Sequence, residues 1–229
     1  MQDKEPIIIS LGGSMVVPEM PDPTFIINFR NIILDIVKNY NKRFFIIVGG
    51  GKVCRIYQAA LAKTIDASIE KLDWMGIYST HLNAQLVRLS FGDNAPKDIV
   101  TDPSVVSNLS NDVVIGAGWE PGCSTDTDAV LIAEQIKAKK IINISNVDFV
   151  YDSDPKVNPD AKKLENISWK DYRSMISSEW APGMNLPFDP IASHKAEDLG
   201  IEVVFISGKN LENLKNYIIG QSFTGSIIK

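Results

Sequence analysis

The sequence predicts a three-layer α/β/α sandwich with a mainly parallel central sheet, and three observations carry that expectation. Short apolar runs rich in β-branched residues recur along the chain, each closes on glycine or small polar residues, and segments of helical periodicity separate them. Strands that alternate with helices join parallel neighbours through crossovers, so helices come to cover both faces of the sheet.

Residues 7–11 form the first apolar run, which passes into the tight loop Gly12-Gly13-Ser14. After Pro18, Pro21 and Pro23, residues 25–39 place Phe25, Phe29, Ile32, Ile33 and Ile36 at helical spacing. Residues 44–48 are the second run, stopping at Gly49-Gly50-Gly51, and 52–63 have helical composition. Residues 72–89 read as a long helix. A third strand over 112–115 ends in Gly116-Ala117-Gly118 and precedes a helix over 126–137. The fourth strand, 141–144, closes on Ser145-Asn146-Val147-Asp148, and the fifth, 202–206, on Ser207-Gly208. Residues 152–155 and 158–165 read as loops or a small hairpin. With 229 residues, 45% of them hydrophobic, and no linker, 1–229 is expected to form one domain with a well-buried core.

Composition narrows the function. Cys54, Cys123, His81 and His194 lack metal or redox spacing, so no protein-held metal is expected and a reducing, cytoplasmic setting fits. No apolar run is long enough for a membrane span, and the first six residues are polar and acidic rather than signal-like. A net charge of −5 with scattered Lys and Arg argues against a nucleic-acid surface.

Polar chemistry gathers beyond the carboxyl ends of the strands, where open α/β sheets bind ligands. Two glycine loops after buried strands can turn successive backbone amides toward one phosphate, although either loop alone is also explained as a tight turn. Neither matches the P-loop or the dinucleotide fingerprint. Arg55, one turn beyond Gly51, can clamp a phosphate or lie solvated on the surface. Asp126 opens a helix, which fits either a capping carboxylate or a group that orders charge during phosphoryl transfer. Asp148, Asp154 and Asp189 also fall in expected loops, and turn chemistry before a proline accounts for Asp154 and Asp189 singly.

Taken in order, Ile9-Ser10-Leu11-Gly12-Gly13-Ser14, Val48-Gly49-Gly50-Gly51-Lys52 with Arg55, Asp73-Trp74-Met75-Gly76-Ile77, Pro121-Gly122-Cys123-Ser124-Thr125-Asp126, the stretch from Ser145 to Lys156, and Phe188-Asp189-Pro190-Ile191-Ala192 resemble the archaeal-type UMP kinases of the amino-acid-kinase superfamily. The stretch 18–22 and His81-Leu82-Asn83-Ala84 are similar to the same branch. The resemblance implies transfer of the ATP γ-phosphoryl group to UMP, giving UDP and ADP for pyrimidine biosynthesis, with Mg²⁺ as cofactor and a homohexameric assembly. It implies an acceptor half, 1–135, and an ATP half, 136–229. By the same resemblance Gly13, Ser14, Gly51 and Arg55 meet the transferred phosphate, and Ser145, Asn146, Tyr151 and Asp154 hold ATP. Gly50 and Asp73 face UMP, Asp73 through the ribose, under a loop of Gly118, Trp119, Glu120, Pro121, Gly122, Cys123 and Ser124. Asp126 is then the catalytic-region aspartate, with Arg55, Gly13 and Ser14 beside it.

Three positions depart from that pattern. Ser10 stands where many of these kinases have a lysine, leaving Arg55, Lys52 or Lys195 to supply the charge. Phe149 replaces a glycine of the ATP loop, which predicts a changed backbone there, and Trp119-Glu120 replace commoner small or polar residues of the acceptor loop, with simple packing the alternative for Trp119. Cys123 reads as a small apolar filler. A kinase of the same fold for another small phosphate or carboxylate, and a non-catalytic storage-type homologue, are the competing readings.

Overall fold

The computed structural model describes residues 4–155, 157–177 and 186–229. The chain runs β1 (Glu5–Leu11), α1 (Gly13–Val16), α2 (Pro23–Asn39), β2 (Lys42–Val48), α3 (Gly51–Thr64), α4 (Ile69–Phe91), β3 (Val113–Gly116), α5 (Thr125–Gln135) and β4 (Lys140–Ser145). It continues through β5 (Val150–Tyr151), β6 (Lys163–Leu164), β7 (Asn166–Ile167), α6 (Trp169–Met175), α7 (Pro190–Asp198), β8 (Glu202–Ser207), α8 (Leu211–Ile218) and β9 (Ser226–Ile228).

Seven strands form one sheet in the order β3-β2-β1-β4-β8-β9-β7, parallel from β3 through β8 and antiparallel only between β8 and β9. The parallel sheet covered on both faces that the sequence predicts is the observed architecture. Alternation along β1 shows why the layers are three: Ile9 and Leu11 pack with α2, α4 and α8, whereas Ile8 packs on the opposite face with α5, α6 and α7. Strands buried on both faces are mainly apolar, as β1, β2 and β4 are, and the buried polar residues Ser10 of β1 and Asn143 of β4 are hydrogen-bonded.

Local chemistry starts the helices. Asp22 caps α2 by accepting the Phe25 amide at 2.9 Å, with Pro23 at the first position, and Ser68, Ser168 and Asn210 cap α4, α6 and α8. The expected hairpin is β5 with β6, closed on Val150 opposite Leu164.

Several elements differ from expectation. Residues after Gly12 form the single helical turn α1 rather than a plain loop, α4 begins at Ile69 rather than near 72, and Asp189-Pro190 starts α7 instead of making a turn. Phe149 keeps an ordinary backbone, since Asn41 and Lys137 are the non-glycine residues with positive φ among those described. Its buried ring lies under Lys163, 4.6 Å from the ammonium, so packing accounts for a residue expected to distort the loop.

The chain builds β2 and β3 on one side of β1, then returns to place β4 and β8 on the other. The strand order therefore reverses between β1 and β4, and crevices form at the carboxyl ends beside such a reversal.

Candidate active site

The two glycine loops leave adjacent strands at this reversal and touch. The Gly12 amide donates to the Ile144 carbonyl at 2.8 Å, and Gly49 donates to Leu11 at 2.9 Å. A Cβ on Gly13 would lie 2.2 Å from the Gly49 carbonyl oxygen. One on Gly51 would lie 2.5 Å from Gly13 and Ser14 backbone atoms, and Gly51 also sits at φ +61. Only glycine permits that approach. First-turn amides of a helix have no carbonyl within their own helix, so the starts of α1 and α3 present donors side by side.

A cleft of about 200 Å³ opens beside these loops. The start of α3 supplies Gly50, Gly51, Cys54 and Arg55 to its wall, and α4 supplies Asp73, Gly76 and Thr80. Opposite lie Gly118, Cys123, Ser124 and Asp126, with Asp189 at the base of α7. Arg55 enters no ion pair among the described residues, whereas Lys52 pairs with Glu19 and Lys195 with Glu134 at 2.8 Å. Of the three cations considered for the missing lysine, Arg55 is the one that lines the cleft.

The loop from Gly118 to Ser124 is tied down by α4. The Gly118 amide donates to Thr80 Oγ1 at 2.8 Å, and His81 Nε2 lies 2.8 Å from the Gly118 carbonyl, a contact that places the ring proton on Nε2. Asp73, expected at a ribose, accepts the Gly122 amide at 2.9 Å. Burial raises the pKa of its carboxyl and that amide opposes the rise. Trp119 and Pro121 are half-buried, while Glu120 and Gly122 are exposed. Burial together with the neighbouring acids pushes the Cys123 thiol up to about 11, so it stays protonated.

Asp126 sits in the first turn of α5 at the cleft wall. Ser10 Oγ donates to its Oδ1 at 2.7 Å and Asn143 Nδ2 at 3.1 Å. Thus Ser10, read from sequence as a gap, is a neutral ligand of the carboxyl. Burial first, and the negative charge of Asp189 second, push the Asp126 pKa up to about 7, with the Ser10 and Asn143 donors pulling it back. Asp189 accepts from Ser124 Oγ and from Thr127 Oγ1 at 3.2 Å while capping α7 through the Ile191 and Ala192 amides at 2.8 and 3.0 Å. One carboxylate so binds the starts of α5 and α7 together.

Asp128, two residues on, is 1% exposed, and neither carboxylate oxygen finds a hydrogen-bond partner among the described residues. The nearby Trp119 amide tempers the effect of burial without closing a bond of normal geometry, and the pKa stands well above the carboxylate range.

Of the residues expected at ATP, Ser145 ends β4 beside Gly12, and the Gly208 amide donates to its carbonyl at 2.8 Å. Tyr151 lies in β5 and Asp154 in the turn beyond, where its carbonyl accepts the Asn158 amide at 2.8 Å. Asn146 is exposed in the intervening loop. These four stand outside the cleft lining, and Lys156 lies outside the described residues. Thr80 and Asn83 were given no role from sequence, Asn83 appearing only within the stretch His81-Leu82-Asn83-Ala84, and Asn143 was not singled out. The signal for the first two was a polar stripe, Asp73, Gly76, Thr80 and Asn83, at helical spacing within an otherwise apolar face.

Residues 5–207 match the Amino acid kinase family. A uridylate kinase from Thermococcus kodakarensis is 40% identical, covering 97% of this chain and 99% of its own, and one from Methanosarcina mazei is 31% identical, covering 94% and 92%. The crystal structure of uridylate kinase from Archaeoglobus fulgidus superposes with a TM-score of 0.82 at 33% identity, covering 97% of this chain and 99% of that one. The Bacillus anthracis UMP kinase structure, at 19% identity and a TM-score of 0.77, shares the fold.

Proposed function

The chain belongs to the amino acid kinase family, and from that premise we propose that it is a UMP kinase, transferring the ATP γ-phosphoryl group to UMP to give UDP and ADP. The contact between the two glycine loops, beside a cleft lined by Arg55 and Asp73, carries this assignment. An oxygen of the UMP phosphate attacks the γ-phosphorus, the bond to the β,γ-bridging oxygen breaks, and that electron pair leaves with ADP. The acceptor phosphate is already anionic, so no general base is required. Positioning and charge stabilisation then supply the catalysis.

In this reading the amides of Gly13, Ser14, Gly50 and Gly51, with the Arg55 guanidinium, take the phosphoryl oxygens. Residues 1–135 hold UMP under the loop from Gly118 to Ser124, with Asp73 toward the ribose, and 136–229 hold ATP through Ser145, Asn146, Tyr151 and Asp154. Asp126 organises charge at the meeting point and is not a proton acceptor.

Among the described residues no group of three His, Cys, Asp or Glu side chains could hold a metal. Mg²⁺ keeps its waters and takes one or two carboxylates plus substrate phosphates, and Asp126 at the cleft wall is the carboxylate that would hold it. When bound with ATP it would neutralise phosphate charge.

No described helix is long and apolar enough to cross a membrane. Free Cys54 and Cys123 suit a reducing cytoplasm, where UDP would feed pyrimidine nucleotide synthesis. A homohexamer built through the outer faces of α3 and α4 would cover Tyr57, Trp74, Tyr78 and Leu82, all exposed in the single chain.

ADP formation from Mg-ATP across UMP, CMP, AMP, GMP and isopentenyl phosphate tests the assignment. UMP should give the highest kcat/KM, by about tenfold or more over CMP. Turnover of isopentenyl phosphate instead, or of nothing, would remove it.

A further inference from the structure

Buried polar side chains of helix α4 bond both the Gly49–Gly51 loop and the loop from Gly118 to Ser124. Asn83 is 2% exposed and lies beside the wholly buried Ala84. Its side-chain nitrogen donates to the Gly49 carbonyl at 2.9 Å and to the Gly50 carbonyl at 3.2 Å, using both of its protons. Across a trans peptide plane the carbonyl and the next amide point in opposite directions. Carbonyls of Gly49 and Gly50 held against α4 therefore turn the amides of Gly50 and Gly51 away from it, and both residues line the cleft. The Gly50 carbonyl also accepts the Cys54 amide at 3.3 Å, the first bond of α3. Asn83 thus fixes where the loop ends, where the helix begins and which way the intervening amides face.

We propose that Asn83 is a positioning residue of phosphoryl transfer, presetting the Gly50 and Gly51 amides for phosphate oxygens; this rests on the kinase reading above. Donors already oriented need no reorganisation as the transition state forms. Thr80, three residues earlier on the same helix face, holds Gly118 of the acceptor loop instead. The two neighbours should therefore separate kinetically, Asn83 acting on turnover and Thr80 on acceptor binding.

The test combines kinetics with amide NMR. Asn83→Ala should lower kcat by about 30- to 100-fold while KM for UMP changes less than about threefold. Thr80→Val should raise KM for UMP about tenfold with kcat nearly kept. Asn83→Ser, which keeps one donor, covers the case in which the alanine variant does not fold, and should lose about tenfold in kcat. Titration with inorganic pyrophosphate should shift the Gly50 and Gly51 amide resonances of the wild-type protein, and less in either Asn83 variant. A variant with wild-type kcat, or with a lowered melting temperature but unaltered amide response, would overturn the positioning role. Wild-type protein whose amides respond to pyrophosphate but which phosphorylates no acceptor would overturn the kinase reading, and the amide response of the variants would still decide the role of Asn83.

Discussion

At the scale of single residues, the site is governed by how carboxyls are held without a lysine. Asp126 keeps its proton up to about pH 7 because burial and Asp189 outweigh the Ser10 and Asn143 donors. If the ionised form is needed, kcat/KM of the free enzyme should rise with pH through that region, a limb that Asp126→Asn should abolish along with most of kcat. Ser10→Ala removes a donor that favours the ionised form, so the same limb should move to higher pH. A profile unchanged in Asp126→Asn would leave that residue as a helix-opening carboxylate. Arg55→Ala should lower kcat/KM about a hundredfold, the order expected for losing a group that stabilises transferring charge. Near-wild-type kinetics would place Arg55 outside the reaction. Asp128 makes a separate prediction about stability. Its folded pKa lies above the unfolded value, so between the two the folded state holds a proton that the unfolded chain has shed. Stability then falls as pH rises through that window, by on the order of 1 kcal/mol per pH unit. Asp128→Asn should therefore raise the melting temperature at pH 7 and give no gain near pH 4, and equal effects at both would refute it.

At the scale of elements, contact between the glycine loops is the feature least tolerant of change. A methyl on Gly13 or Gly51 meets backbone, which cannot rotate aside, and Gly51 adds the strain of positive φ. Gly13→Ala and Gly51→Ala should each cost about 1–3 kcal/mol in thermal unfolding and remove most activity, whereas overpacking without loss of turnover would mean the loops do not act together. Which elements the sequence revealed follows from how they are buried. Strands such as β1 and β2, covered on both faces, are continuous apolar runs and were legible, as was the strong periodicity of α2. By contrast β7 and β9, with two and three residues, are too short to carry a pattern and were not read. Helix α7 was hidden because the chemistry that caps a helix, Asp189 before Pro190, is also the chemistry of a turn. For the site, glycines and Asp126 stood out as residue types with special backbone or charge. The roles of Asn83 and Thr80 did not, although Asn83 lies in a quoted stretch, because their partners are main-chain groups distant in sequence.

At the scale of the whole molecule, the reversal of strand order between β1 and β4 decides where chemistry can occur. It sets the two glycine loops between a cleft on the β2–β3 side and Ser145 on the β4–β8 side. The outer face of α4 is apolar and exposed in the single chain. Tyr78, 59% exposed, stacks against Trp74 and meets His81 edge-on, and Leu82, 65% exposed, continues the stripe. Wild-type protein should sediment as a homo-oligomer, six chains if the hexamer is right. Tyr78→Asp with Leu82→Asp should release smaller species, and an assembly unaffected by the pair would exclude this face.

The structure of the protein crystallised with UMP and a non-hydrolysable ATP analogue tests the central claim most directly. The UMP phosphate and the terminal phosphate of the analogue should meet within hydrogen-bond reach of the amides of Gly13, Ser14, Gly50 and Gly51. Nucleotides bound elsewhere, with those amides bare, would contradict it.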